Sequence, residues 1–110
     1  NVSQHFVNKY GSRIIDVNKD KLYNYCESGN VNFVKFLVKK GVDITARSNL
    51  AVRYASENGH LYVVKFLVSK GADITANYNY AIRLASENGH LHVVKFLVKN
   101  GADINAKNQV

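Results

Sequence analysis

The chain contains no proline, methionine or tryptophan, and Cys26 is its only cysteine. One cysteine excludes an internal disulfide and fits a reducing compartment. No apolar run approaches the roughly 18 residues that cross a bilayer, and no segment has the pattern of a signal peptide. We therefore expect an intracellular, cytoplasmic protein without membrane insertion.

Negative charge is also scarce, with 8 Asp and Glu against 15 Lys and Arg, which gives a formal net charge of +7. This balance allows an acidic partner or nucleic acid, but it bears on solubility and electrostatic steering rather than on fold. With 46% hydrophobic residues, 110 residues can build the core of one ordinary domain.

What the chain does have is a repeat of 30 residues, clearest between Ala51 to Tyr80 and Ala81 to Val110. A weaker copy, Lys21 to Leu50, precedes them. All 7 glycines fall in two rows at this spacing, and glycine commonly follows a helix end because it adopts positive φ cheaply. Each unit should therefore hold two short helices and a turn, and units in phase predict an all-α solenoid.

In the second unit we predict a first helix from Ala51 to Asn58 and a second from Leu61 to Lys70. Small residues on the first helix suggest close contact between neighbouring helices. Between units, Asp73 is placed to accept backbone N–H bonds, and Ile74 to anchor a short extended segment. Asn77 to Tyr80 should form an exposed tip.

Residues 1–20 keep the phase of the repeat in a degraded form. They predict a lone second helix from Val2 to Tyr10 and the turn after it; the alternative is an irregular amino-terminal cap. We therefore divide residues 1–110, as one array, into a half unit 1–20 and units 21–50, 51–80 and 81–110. Because the first residue is not methionine and the last unit stops on a repeat boundary, we expect a fragment of a longer array.

The motif NGHLxVVKFLVxxGADI, with Ala-Ser-Glu-Asn-Gly-His before the second helix, resembles the ankyrin repeat across residues 21–110 and faintly across 1–20. The resemblance implies a protein–protein interaction module without shared catalytic activity or cofactor. The unit is shorter than the usual length of about 33 residues and lacks the T-P-L-H opening, so short turns should replace full β-hairpin fingers. This shortened unit resembles the ankyrin proteins of giant DNA viruses of amoebae (mimivirus-like), which implies a viral protein in host cytoplasm with a host protein as partner.

Two residue types could carry chemistry. His60 and His90, with His92 and His5, could suggest a metal site, but their spacing is that of the repeat, which favours a structural role. Cys26 aligns with small residues on the packing face, which favours a buried filler over a nucleophile. Because no acid, base, nucleophile or metal ligand converges, we predict no enzyme, metal, cofactor or small-molecule substrate.

Two charged columns allow more than one interpretation. Arg53 and Glu57 are spaced as an i,i+4 surface pair, repeated one unit later, and could instead line a groove. A lysine column formed by Lys35, Lys65 and Lys95 is typical of a solvated helix face. It could also track the phosphates of nucleic acid or an anionic surface, which is the alternative function.

The positions that escape the repeat are the best candidates for a partner site, because packing does not fix their identity. Tyrosine and asparagine, which dominate the second tip, suit contact surfaces. The ankyrin resemblance implies that tips and first helices share the concave side. Drift on solvated turns, and a purely structural spacer, remain alternatives. The predicted partner-binding residues are Arg53, Tyr54, Asn77, Tyr78, Asn79, Tyr80, Arg83 and Leu84.

Overall fold

The computed structural model describes residues 20–106. The predicted helix from Val2 to Tyr10, the turn after it and the last tip, residues 107–110, lie outside the described residues. The helices are α1 (residues 20–28), α2 (Val31–Lys39), α3 (Ala46–Glu57), α4 (Leu61–Ser69), α5 (Ala76–Glu87) and α6 (Leu91–Lys99). No strand occurs between residues 20 and 106, which confirms the predicted helix–turn–helix solenoid with turns in place of β-hairpin fingers.

The helices stack in two layers. The first-helix layer contains α1, α3 and α5, with α3 packed directly on α5. In the second-helix layer α4 packs between α2 and α6, and each of α4 and α6 also packs on the first helix of its own unit. Every inner helix therefore has neighbours on several sides, which is how short amphipathic helices bury enough apolar surface in a solenoid.

Small side chains hold the first-helix layer together. Val52, Ala55 and Ser56 are fully buried, as the spacing of the repeat predicts. Cys26, at the place of Ser56 one unit earlier, is also fully buried, and burial raises the pKa of its thiol to about 12. A thiol in such surroundings is chemically inert, so Cys26 is a packing residue.

The segment after the second helix is a closed turn rather than the short extended segment predicted from Ile74. The Ile74 side chain is buried, so its predicted anchoring role is confirmed. The Asp73 carboxylate accepts hydrogen bonds from the Thr75 hydroxyl (2.6 Å) and backbone N–H (2.9 Å), and these bonds lower the pKa of Asp73. Short-range side-chain bonding of this kind competes with strand formation.

Histidine rings lock the second and third units to the unit that precedes each of them. His60 Nε2 lies 2.8 Å from the carbonyl oxygen of Glu27, and a Cβ added to Gly29 would lie 2.5 Å from the His60 ring. The His90 ring stands in the same relation to Gly59. The glycine row therefore serves two needs at once: positive φ at the helix end and a notch that admits the next imidazole. None of the helices in residues 20–106 has the length and hydropathy needed to cross a membrane.

The notch gives a test that separates close approach from backbone strain. Gly59→Ala and Gly71→Ala both place a side chain at positive φ, +78° and +97°. We expect Gly59→Ala to lower the free energy of unfolding in urea by about 1 kcal/mol more than Gly71→Ala. The reason is that the added Cβ meets the His90 ring at position 59 and nothing within 4 Å at position 71.

The control for this comparison is His90→Ala. In that background the excess cost of Gly59→Ala should disappear, because the ring that fills the notch is gone. An excess that survives the loss of His90 would show that the imidazole does not occupy the notch in solution.

Candidate functional site

The tips between units are left-handed turns. Arg47, Ser48 and Asn49 have φ of 54°, 54° and 60°, and the next tip repeats the conformation at Asn77, Tyr78 and Asn79. The chain then enters the right-handed part of α3 or α5, so these two helices each contain, near their start, a left-handed turn that the sequence had suggested only as a tip. Left-handed backbone costs roughly 1–2 kcal/mol per residue for most L-amino acids, and less for asparagine.

One arginine stabilises each of the two turns that the structure describes. The Arg53 guanidinium donates through Nε to the carbonyl of Ser48 (3.0 Å) and through Nη2 to that of Arg47 (2.9 Å). Arg83 donates in the same way to the carbonyls of Tyr78 (3.0 Å) and Asn77 (3.3 Å). The planar guanidinium suits two adjacent acceptors, so the predicted site residues Arg53 and Arg83 are part of the frame of the turn.

One asparagine in each tip connects the turn to the following unit. The side-chain carbonyl of Asn49 accepts a hydrogen bond from the backbone N–H of Asp73 (2.8 Å), and Asn79 accepts one from that of Asp103 (3.1 Å). Asparagine tolerates the left-handed conformation and supplies the acceptor, so both requirements at this position select it. Asn79 is therefore structural as well as a predicted site residue.

Tyr80 lies between two arginines of consecutive units. The Arg53 and Arg83 guanidinium carbons are 4.9 Å and 5.7 Å from its ring centroid, and its hydroxyl donates to the Glu57 carboxylate (3.1 Å). Burial, together with this hydrogen bond to a carboxylate, raises the pKa of Tyr80. The predicted Arg53–Glu57 pair is not formed, because Arg53 bonds to carbonyls and Glu57 receives Tyr80.

The remaining predicted residues are held less firmly. Tyr54 is half-buried and packs edge-on against Tyr23, with ring centroids 6.2 Å apart, and Leu84 is half-buried on the same helix row. Asn77 is exposed. Tyr78 is 53% exposed, and within residues 20–106 its side chain forms no hydrogen bond or ring contact. The structure thus brings the predicted residues to one layer and its tips, and leaves Tyr78 the most available.

The second-helix layer, on the side away from the predicted partner residues, is basic. Residues 31–40, 61–70 and 91–100 contain no aspartate or glutamate, and their lysines are exposed. Some of these lysines reach the next unit: Lys35 Nζ is 5.7 Å from the Phe66 ring centroid and Lys65 Nζ is 5.9 Å from that of Phe96. The seven lysines are Lys35, Lys39, Lys40, Lys65, Lys70, Lys95 and Lys99.

The side chains that commonly bind metals are dispersed in residues 20–106. No group of three or more His, Cys, Asp or Glu side chains is arranged there to hold an ion. The ring nitrogen Nε2 of His60 forms a hydrogen bond with the backbone carbonyl of Glu27, which confirms the structural role predicted for this histidine.

Comparison with known proteins identifies the repeat. The family model described as ankyrin repeats (3 copies) matches residues 4–78 and again residues 54–108. The comparison with curated proteins gives no match.

The role of the arginines in the frame can be measured by stability alone. We expect Arg53→Met to lower the free energy of unfolding by about 2 kcal/mol, because two charge-assisted hydrogen bonds to strained backbone are lost while the alkyl stem is kept. The matched control is Lys65→Met, which removes an exposed lysine from an aromatic ring and should cost about 0.5 kcal/mol. Equal losses in the two variants would mean that Arg53 does not hold the turn.

Proposed function

Because the chain belongs to the ankyrin repeat family, whose repeats are generally protein–protein interaction modules, we propose that it binds a partner protein with its tips and first-helix layer. The family is typically non-enzymatic, so the expected activity is binding rather than catalysis. In this proposal residues 1–110 act as one array with the 30-residue division given above. The partner surface is the concave side of that array.

The observation that carries the proposal is Tyr78. Its backbone is left-handed, with φ of 57°, where asparagine or glycine is the less strained choice. Its ring is 53% exposed and contributes no described contact to the fold. A large aromatic residue in a strained and exposed position is thus unexplained by stability, and strained residues of this kind cluster at ligand-binding sites. Tyrosine is also a residue type that commonly supplies binding energy.

The surroundings of Tyr78 suit a protein partner. Asn77 is exposed beside it, and Tyr54 and Leu84 offer half-buried apolar surface on the helices behind. Arg83 uses two of its five N–H donors on the turn, so the guanidinium retains capacity for an acceptor from the partner. An aromatic anchor with adaptable polar neighbours is a common arrangement in binding surfaces.

The same proposal covers the origin of the chain and the compartment in which it meets its partner. The shortened unit resembles those of giant-virus ankyrin proteins, which supports a viral protein acting in host cytoplasm on a host protein. The partner would then come from the host proteome rather than from a second copy of the chain.

The binding face can be tested with two exposed tyrosines on opposite layers. A photo-crosslinking amino acid at position 78 should capture the partner from host-cell extract, and the same residue at position 62 should not. Tyr62 is the matched control, since it is 74% exposed on the second-helix layer. With the captured protein purified, Tyr78→Ala should raise Kd at least about tenfold, or about 1.4 kcal/mol, and leave the thermal midpoint unchanged.

The reverse pattern would place the site on the other layer. If Tyr62→Ala weakens binding and Tyr78→Ala does not, the proposed face is wrong. Arg53 and Arg83 are unsuitable as first probes, because their loss would disturb the turn that presents Tyr78.

A second candidate function has one observation in its favour, the segregation of lysines from carboxylates on the second-helix layer. Such a surface could bind nucleic acid or another polyanion. Lys35 and Lys65 each lie over the phenylalanine of the next unit, so the rings of Phe66 and Phe96 are partly covered and are less available for base stacking. Binding of a partner protein is therefore the better supported of the two candidate functions.

Salt dependence separates the two functions. We expect binding to DNA or RNA to be weak and to vanish near about 150 mM salt, as for contacts made by phosphate attraction alone. Tight binding that survives about 200 mM salt and is lost on changing Lys35, Lys65 and Lys95 to glutamine would favour the second function. Changing Lys40, Lys70 and Lys99 to glutamine is the control with the same change in charge.

A further inference from the structure

Arg47 is a second tip residue whose identity folding does not explain. Its φ is 54°, in the left-handed region, and the equivalent position one unit later holds Asn77. Left-handed backbone costs less for asparagine than for arginine. The Arg47 side chain is exposed, and the sequence had not singled it out as a partner-binding residue. A strained and exposed arginine at a tip therefore indicates a role in binding.

The guanidinium of Arg47 is oriented but not hydrogen-bonded. Its carbon lies 5.4 Å from the centroid of the Tyr23 ring, a cation–π contact that restricts where the side chain points. Within residues 20–106 the guanidinium donates no hydrogen bond. Arg53 and Arg83 each use two donors on backbone carbonyls. Of the arginines in this part of the chain, Arg47 thus keeps all five N–H donors for a ligand.

The backbone that carries this guanidinium is fixed by the frame of the turn. The carbonyl of Arg47 accepts a hydrogen bond from Nη2 of Arg53 (2.9 Å), and Asn49 accepts one from the N–H of Asp73 (2.8 Å). A cation held through both its backbone and its ring contact loses less conformational entropy on binding than a free side chain. Its planar fork of donors matches the two oxygens of a carboxylate.

The charges around Arg47 favour a single carboxylate over a polyanion. Asp20 and Asp43 act on the Tyr23 phenol in the direction opposite to Arg47, so both carboxylates lie near this tip. Asp73 is bonded to the same tip through its backbone. A row of phosphates would meet these negative charges together with the guanidinium, whereas one carboxylate can contact the guanidinium alone.

Arg47 and Tyr78 stand on adjacent tips of the same layer. Their helices, α3 and α5, pack directly on each other, and the axes of packed helices are about 8–10 Å apart. An extended chain rises about 3.3 Å per residue, so about three residues of a partner segment cover the distance between the two tips.

We propose that Arg47 determines the specificity of the partner face by binding the carboxylate of an Asp or Glu in an extended segment, about three residues from the side chain that packs on Tyr78. This inference rests on the partner-binding function proposed above and names the chemistry of the segment that the face accepts. The formal net charge of +7 favours the approach of an acidic segment.

The test uses a displayed library of random short peptides, selected for binding to the 110-residue chain. We expect the selected peptides to carry Asp or Glu about three residues from an aromatic or aliphatic side chain. For one such peptide, Arg47→Met should raise Kd at least about tenfold, because the bidentate contact is lost. When the acid of the peptide is replaced by its amide, the same variant should change Kd by less than about twofold.

Three variants serve as controls. Lys65→Met removes the same charge from the second-helix layer and should leave Kd within about twofold, since steering by net charge is weak beside a direct contact. Arg47→Lys keeps the charge without the planar fork and should give an intermediate Kd. Tyr78→Ala should weaken the acid and amide peptides alike. The thermal midpoint of Arg47→Met should stay close to that of the unchanged chain, because the turn is held by Arg53.

Several results would overturn the proposal. Selected peptides that depend on Tyr78 but show no acid at a fixed spacing would leave the partner face in place and remove the role of Arg47. Equal losses for the acid and amide peptides would mean that Arg47 acts through the turn and not on a carboxylate. A library that yields no binder would rule out an extended segment as the ligand, and crosslinking from position 78 would still decide whether the face binds a folded protein.

Discussion

The close approach of consecutive units is the constraint on which the rest of the structure depends. Small side chains, represented by Ala55 and Ser56, allow one first helix to lie against the next. Gly29 and Gly59, which follow α1 and α3, each admit the imidazole of the following unit, which fixes the same spacing at the other end of the helix. Both contacts would be lost to a single larger side chain, because a packed interface cannot absorb extra methyl groups without shifting its backbone.

The fixed spacing explains contacts that no single unit could make. Tyr80 is reached by Arg53 from one unit and Arg83 from the next, and Lys65 reaches Phe96 across the outer layer. Each contact is weak alone, at about 0.5–1 kcal/mol for an exposed cation–π pair. The lysine–phenylalanine contact also occurs one unit earlier, between Lys35 and Phe66, and these contacts together tie neighbouring units to one register.

The short unit imposes a second constraint at the tips. With 30 residues per unit there is no room for a β-hairpin, and the chain turns through three left-handed residues instead. The strain is offset by bonds from Arg53 and Arg83 to the carbonyls of the turn and by the asparagines that bridge to the next unit. Bonds that hold the tip in one conformation would limit the loss of conformational entropy in the partner binding proposed above.

Much of the fold could be predicted from the sequence because a period along the chain becomes a period in space. The two glycine rows marked the helix ends, and α4 ends within one residue of its predicted position. The buried face of α3, with Val52 and Ala55, followed from helical spacing in the same way. Local residue identity was sufficient for these features, since each depends on contacts that every unit repeats.

The left-handed turn could not be predicted in this way. Arg47, Ser48 and Tyr78 have no preference for such backbone, and the bonds that hold it come from an arginine five or six residues further on. A signal was nevertheless present, because asparagine recurs at positions 49 and 79. Arginine recurs in the same way at positions 53 and 83. Recurrence in a repeat indicates a structural requirement, so three of the eight predicted partner-site residues, Arg53, Asn79 and Arg83, belong to the frame of the tip.

Recurring and non-recurring residues have different roles in the predicted site. Residues that recur, Asn79 and Arg83 among them, build and hold the turn, and Tyr78, which does not recur, is presented by it. A change at Tyr78 leaves the bonds of the frame intact because those bonds end on its backbone carbonyl and not on its side chain. The side chain presented by the tip can therefore change without altering the bonds that hold the turn, which suits the partner surface proposed above.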